Sequence, residues 1–282
     1  MKLLLTDSAN ALGGALEHEL ERESLRLLQP AKGEIDWSDE QQVADYIRLN
    51  RPDAVVNTLA YTELADAADP VVVATGYIAN AAAKREVPLI QLSSYQVFGS
   101  DNKKVHNEDD TPAPISQRGE LFWQAEQAAA LHPKHINLRF SWLIGSYGDN
   151  LLTRLLGDLK AGKPWQVNSR LRGAPTALSD AARVTVALVK QISCGADNWG
   201  VMHYGSSDAV TQQAFAEHVA EILQQQAYPG ALPEFQVTDT IPEDTPISAV
   251  LSHQRIREDY GVQARSWRTS IVPMVKQWLS QQ

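Results

Sequence analysis

The first 145 residues alternate short apolar runs with longer segments whose apolar residues recur at helical spacing. Runs at 2–6, 24–28, 54–57, 89–93 and 136–140 are rich in Leu, Ile and Val and read as strands. Between them, 13–23, 39–50, 70–84 and 119–131 read as helices, with Ser38 and Asp39 as a start signal before QQVADYI. Strict alternation of this kind predicts an α/β fold, a Rossmann-type doubly wound parallel sheet with its ligand crevice at the carboxyl ends of the strands. After about residue 145 the rhythm loosens. Helices are expected over 151–161, 179–191 and 211–226, while PGALPEFQVTDTIPEDTPIS, rich in Pro and acidic residues, reads as loop. The expected organisation is a nucleotide-binding core over 1–165. A smaller α/β lobe of substrate-binding type takes most of 166–282 and is partly interleaved with the core.

Composition narrows the function classes. A hydrophobic fraction of 44% and a charged fraction of 21% suit an ordinary soluble globular protein. The net charge of −9 argues against a nucleic-acid surface, which needs clustered Lys and Arg. No apolar run approaches the roughly 18 residues that span a bilayer, so no membrane partner is expected. The start also lacks a basic-then-apolar export segment. Cys194 is the sole cysteine, which rules out an intrachain disulfide and fits a reducing, cytoplasmic setting. No set of metal ligands stands out.

The stretch TDSANALGGAL at 6–16 occupies the strand–turn–helix position where dinucleotide-binding folds keep a glycine fingerprint. Gly13 holds the third glycine position, which permits close helix–strand packing. The first two positions are Asp7 and Asn10. A carboxylate about 4 Å from a phosphate charge costs about 1–4 kcal/mol, against the attraction of the helix N-terminus for an anion. Asp7, Ser8 and Asn10 are also favoured helix caps, so the same letters suit a loop that satisfies its own helix.

Five longer blocks fall in a familiar order. These are RPDAVVNTLAYTELADA at 51–67, VPLIQLSSYQVFGS at 87–100, LRFSWLIGSYGDNLLTRLL at 138–156, RGAPTALSDAA at 172–182 and WGVMHYGSSDAVTQQAFA at 199–216. Together they make the chain resemble the dTDP-4-dehydrorhamnose reductase (RmlD-like) family of extended short-chain dehydrogenases/reductases. The resemblance implies a Rossmann core that holds NADP and a C-terminal lobe that holds a nucleotide-sugar. It also implies a ketone reduction that uses Ser or Thr to polarise the carbonyl, Tyr to protonate it, and a Lys four residues later.

Matched position by position, Ser94 keeps the Ser/Thr role. In PAPISQRGELFWQAEQ, the family's Tyr-Gly-x-x-Lys with its following Glu falls on Arg118, Gly119, Phe122 and Glu126. A guanidinium cannot donate a proton near neutrality and a phenyl ring cannot hold a ribose hydroxyl. No Tyr-x-x-x-Lys occurs anywhere in the 282 residues. Tyr95, next to Ser94, is the one candidate for a substitute donor. The cofactor positions implied by the resemblance are Asp7, Asn10, Leu12, Gly13, Lys32 and Leu59, with Lys32 favouring NADP over NAD. The substrate positions are Ser94, Arg172, Pro175, Thr176, Thr245 and Ser248. Thr245 and Ser248 replace an Arg and an Asn of the family, and with that Arg goes bidentate phosphate recognition. Arg170 and Arg172 offer positive charge to an anion.

The sequence therefore points to a divergent, non-catalytic member that binds a nucleotide-sugar or a partner protein. No cofactor is expected, and NADP if any. The candidate contact surface is Phe122, Trp123 or the C-terminal WRTSIVPMVKQWL helix. The alternative is an active NADP-dependent reductase of a 4-keto nucleotide-sugar with a rearranged proton donor.

Overall fold

Alternation along each strand decides the two faces of the central sheet. The computed structural model describes every residue except 24, 32, 63–67, 102 and 281–282, with 68 and 69 described by backbone alone. Six parallel strands lie in the order Gly200–Tyr204, His135–Phe140, Leu89–Ser94, Ala54–Asn57, Lys2–Leu5, Arg26–Leu28. Leu3, Leu5, Val56, Leu92 and Leu138 face one side, under the helices Ala11–Leu20 and Leu178–Ser193. Leu4, Val55 and Leu89 face the other, under Glu40–Asn50, Ala68–Ala83 and Gln117–Ala129. Both faces are apolar because a parallel sheet is covered twice.

From Lys2–Leu5 the chain first moves outward to Arg26–Leu28. It then crosses back to Ala54–Asn57 on the opposite side. The carboxyl ends of Lys2–Leu5 and Ala54–Asn57 therefore diverge, and a crevice opens where the winding reverses.

A separate apolar cluster forms beyond that crevice. In the helix Leu151–Lys160, Leu152, Leu155, Leu156 and Leu159 make one buried stripe against Trp165, Phe215, Trp267 and Ile271. Asn150 starts this helix with a capping box: its side chain accepts from the Leu152 and Thr153 N–H groups, and Thr153 Oγ1 accepts from its own N–H. Residues 178–204 and 256–262 instead return to the face of the main sheet.

The sequence pattern missed every strand after His135–Phe140, among them Trp165–Asn168 and several two-residue strands. Gly200–Tyr204 adds the sixth strand of the sheet, beside His135–Phe140. Phe235–Thr238, inside the Pro-rich stretch expected to be loop, pairs in parallel with Trp165–Asn168. Its residues are mostly exposed, so hydrophobic alternation gives no signal there. No described helix is long and apolar enough to cross a membrane.

Candidate functional site

A cleft of about 1070 Å³ opens at the reversal point, between the strand ends and the second cluster. Its near wall begins with the loop after the first strand. Asn10 is the N-cap of the helix Ala11–Leu20, and its Oδ1 accepts from Gly13 N at 2.9 Å. Its Nδ2 donates to the Asp7 carboxylate at 3.1 Å, and the other Asp7 oxygen accepts from Ala9 N at 2.9 Å. Of the three residues suited to capping, Asn10 does it, and Asp7 fixes Asn10 from one link back. Thr58 ties the loop to the third strand by accepting from Asp7 N at 3.2 Å. Gly13 is needed for the close approach, because a Cβ there would fall 2.2 Å from the Asp7 carbonyl oxygen. Asn10 and Leu12 line the cleft. Leu59 is buried at the start of a short turn away from it, and Lys32 lies outside the described residues.

Ser94 ends its strand and caps the turn Tyr95–Val97, accepting from Gln96 N at 3.3 Å. Tyr61 reaches the same spot from the neighbouring strand end. Its phenol donates to the Ser93 carbonyl at 2.6 Å, beside the Ser94 hydroxyl. Burial pushes the phenols of both Tyr61 and Tyr95 up. For Tyr95, the nearby polar groups of Gln96 and Trp142 and the charge of Arg154 pull partly back.

The helix Gln117–Ala129 carries the altered motif, and it separates what the fold needs from what chemistry needs. A Cβ at Gly119 would fall 2.2 Å from the Gln96 carbonyl oxygen, so a glycine is required where this helix crosses the turn. Glu126 is buried and accepts from Arg139 Nε at 2.8 Å, Arg139 Nη2 at 2.7 Å and Ser93 Oγ at 2.5 Å. Both residues hold the helix against the sheet. Phe122 has 2% of its surface exposed, with its ring 4.9 Å from that of Tyr61. The Arg118 guanidinium stands 5.2 Å from the Phe122 ring and donates to the Thr62 carbonyl at 3.3 Å. The expectation of a contact surface at Phe122 is thereby corrected: its side chain is core, and Trp123 beside it is half-buried. Trp267, which precedes the C-terminal helix, is buried too.

The far wall contains Thr245 and Pro246. Ser248 is buried and donates to the Lys104 carbonyl at 2.9 Å. Thr176 is buried and donates to the Ala174 carbonyl at 2.8 Å. Arg172 is exposed on a short strand, and neither it nor Pro175 lines the cleft. Arg170 lines a separate shallow hollow. Thus Asn10, Leu12, Ser94, Tyr95, Arg118, Phe122 and Thr245 meet in one cleft, and Asp7, Gly13, Leu59, Arg172, Pro175, Thr176 and Ser248 stand behind or outside it. Sequence reasoning passed over Tyr61, Trp142 and Gln212, which also line it. Tyr61 and Trp142 lie inside the family-like blocks, but only tertiary packing brings them into the cleft that Ser94 lines. Among the described residues, no group of three His, Cys, Asp or Glu is placed to hold a metal.

Comparison with known proteins decides the family. The pattern described as RmlD substrate binding domain matches residues 1–280. The chain belongs to that family. A dTDP-4-dehydrorhamnose reductase of Burkholderia thailandensis is 26% identical over 302 residues, covering 100% of both chains. The Escherichia coli protein of the same name is 26% identical over 254 residues, with 86% of this chain and 85% of that one covered. Among solved structures, a dTDP-4-dehydrorhamnose reductase of Clostridium acetobutylicum superposes with a TM-score of 0.85 at 21% identity, covering 100% of each chain. The Bacillus anthracis reductase, solved in complex with NADP, gives 0.82 at 23% identity over 98% of each. The family match and these superpositions extend over nearly the whole chain.

Proposed function

We propose that this member of the reductase family binds a nucleotide-sugar in its cleft without transferring hydride. The observation that carries this reading is Phe122, a buried phenyl ring packed on Tyr61 where the family's Lys would stand. That Lys has two tasks, to lower a phenol's pKa and to hold a ribose, and a ring in the core performs neither. The structural half of the same motif is retained in Gly119 and Glu126. The two phenols nearest Ser94 are shifted upward by burial, the direction opposite to an activated donor.

The cofactor loop supports the reading. A dinucleotide needs backbone N–H groups free for its pyrophosphate and a glycine surface it can approach. Here the Ala9 and Gly13 N–H groups are taken by the Asp7 and Asn10 side chains, and a carboxylate sits among them. The residues present do not fit the NADP held by the Bacillus anthracis relative.

The test is NADPH oxidation over a panel of 4-keto nucleotide-sugars, dTDP-4-dehydrorhamnose included. No turnover is expected. Turnover that disappears in Ser94→Ala overturns the proposal in favour of a reductase with a rearranged donor, for which Tyr61 beside Ser94 is the placed candidate. A rise in melting temperature with dTDP-sugars and none with NADPH is the expected binding result. Silence toward both ligand classes points instead to a partner protein.

A further inference from the structure

The strand Phe235–Thr238 has one bonded edge and one open edge. Trp165 N–H donates to the Glu234 carbonyl and Ser169 N–H to the Thr238 carbonyl, so the even-numbered residues turn their backbone groups toward Trp165–Asn168. In a parallel pair the intervening residues point the other way, which sends the N–H and C=O groups of Phe235 and Val237 outward. No other described residue hydrogen-bonds them. The far edge of this small sheet is occupied, since Asn168 N–H donates to the Gln212 side chain at 2.8 Å.

The side chains are one-sided in the same way. Phe235 and Val237 lie on the apolar face, level with Trp165 and Val167. The Phe235 ring stands 5.6 Å from that of Trp165, but Val237 is 51% exposed where Val167 is 1% exposed. An open edge that ends in a bare valine is a template for a further strand.

The chemistry along the edge selects the strand that fits. A second copy of Phe235–Thr238, antiparallel about a two-fold axis through Gln236, sets Phe235 opposite the partner's Val237 and Val237 opposite the partner's Phe235. Each of these pairs exchanges both N–H···O bonds, and each exposed valine gains an aromatic cover. Glu234 then faces the partner's Thr238, so no two acidic residues are opposed. The neighbouring registers fail. Centring on Phe235 sets Val237 opposite Pro233, which has no N–H to give. Centring on Val237 sets Phe235 opposite Asp239. Pro233, Glu234 and Asp239 stop the pairing at its ends, and with the far edge occupied the sheet closes as a dimer rather than growing into a fibre.

We propose that Phe235–Thr238 is the interface of a symmetric homodimer in which two two-stranded sheets join into one. Thr238 lines the cleft, so the pairing also brings the partner's Glu234 to the cleft rim. The interface stands whatever the cleft binds.

The test is sedimentation velocity on the intact protein over about 1–200 μM, because a dimer of this kind is set by concentration. A strand pair this short buries less than a standard interface, so a dissociation constant of roughly 1–100 μM is expected. Val237→Pro removes the outward N–H and leaves the ladder to Trp165–Asn168 intact, as an edge position allows. It should weaken the dimer by roughly tenfold or more, the weight of the lost pair of hydrogen bonds. Register is read by cross-linking in a Cys194→Ser background, which removes the sole native thiol. Residues that face each other in a non-hydrogen-bonded pair come within disulfide reach. Gln236→Cys should therefore form a covalent dimer on mild oxidation, and Thr238→Cys, far from its own copy, should not. If Val237→Pro shows no thermal transition and so has not folded, the cross-link decides. A parent chain that stays monomeric throughout overturns the proposal, as does a dimer that ignores Val237→Pro or equal cross-linking at 236 and 238.

Discussion

Glu126 and Phe122 lie one helical turn apart and show how a single residue's burden decides whether it can change. Glu126 sits in a fully buried ion pair with Arg139, and Arg139 Nη1 lies 3.3 Å from His203 Nε2. Removing the carboxylate strands a guanidinium in the core, so Glu126→Ala should cost about 3–5 kcal/mol in urea unfolding. Replacing the pair together with apolar residues of similar volume should cost far less, which a double-mutant cycle will show. Position 122 carries no such partner. Its environment is Tyr61, the aliphatic core of the helix and the Arg118 guanidinium above it, and it accepts a phenyl ring as a packing element. Arg118 was legible in the sequence as a lost proton donor. Its lodging over Phe122 and against the Thr62 carbonyl was not, because it depends on a turn 56 residues away.

At the scale of the element, the loop between the first strand and the helix Ala11–Leu20 is closed by its own side chains. Asn10 supplies the cap, and Asp7 orients Asn10. The exchange Asp7→Gly with Asn10→Gly removes that cap and exposes the N–H groups. Loss of the side-chain cap to Gly costs only a few tenths of a kcal/mol, and added chain entropy brings the expected loss to about 1 kcal/mol. The same variant should gain a rise in melting temperature on adding NADPH, a response the parent lacks. If the parent responds as strongly as the variant, the side chains do not block the loop. The glycine pattern signalled this element correctly, since Asp, Ser and Asn are cap residues on any reading. Which of the three performs the task follows from backbone geometry alone: Asn10 has extended φ and ψ of −80° and 160° directly before the helix.

For the whole molecule, five histidines set a pH dependence. His106, His132, His135, His203 and His253 all have pKa values held below the ordinary 6.5, with burial the leading cause for each. A lowered imidazole pKa means the folded state binds fewer protons than the unfolded chain near and below pH 6.5. Stability is therefore fully present above that pH and is lost as pH falls through the folded values. The melting temperature should be flat from pH 8.5 to 7.5 and fall steadily from pH 6.5 to 5. His203 is shifted furthest down, and His106 has no exposed surface, its ring stacked 4.0 Å from that of Phe98 and neither nitrogen hydrogen-bonded among the described residues. Asp101 and Asp110 stand 3.7 and 3.8 Å away and offset its desolvation only in part. His106→Phe should shallow the acid slope without lowering the melting temperature at pH 8, because it deletes an unsatisfied polar group. An unchanged slope in that variant assigns the effect to the other four.

The sequence by itself determined the parallel sheet, because strands buried on both faces are written as continuous apolar runs separated by helix-periodic segments. It also determined the absence of Tyr-x-x-x-Lys, a statement that needs no alignment. The strand Phe235–Thr238 escaped it, since exposed residues in a Pro-rich stretch carry no alternation, and only the edge of Trp165–Asn168 makes them a strand. The cleft floor was decided by tertiary structure as well. Tyr61, Ser94, Tyr95 and Trp142 come from three different strand ends, and their meeting is set by sheet order and by the missing Cβ of Gly173. Local pattern fixes which residues can form an element; which side chains face one another depends on how distant elements pack.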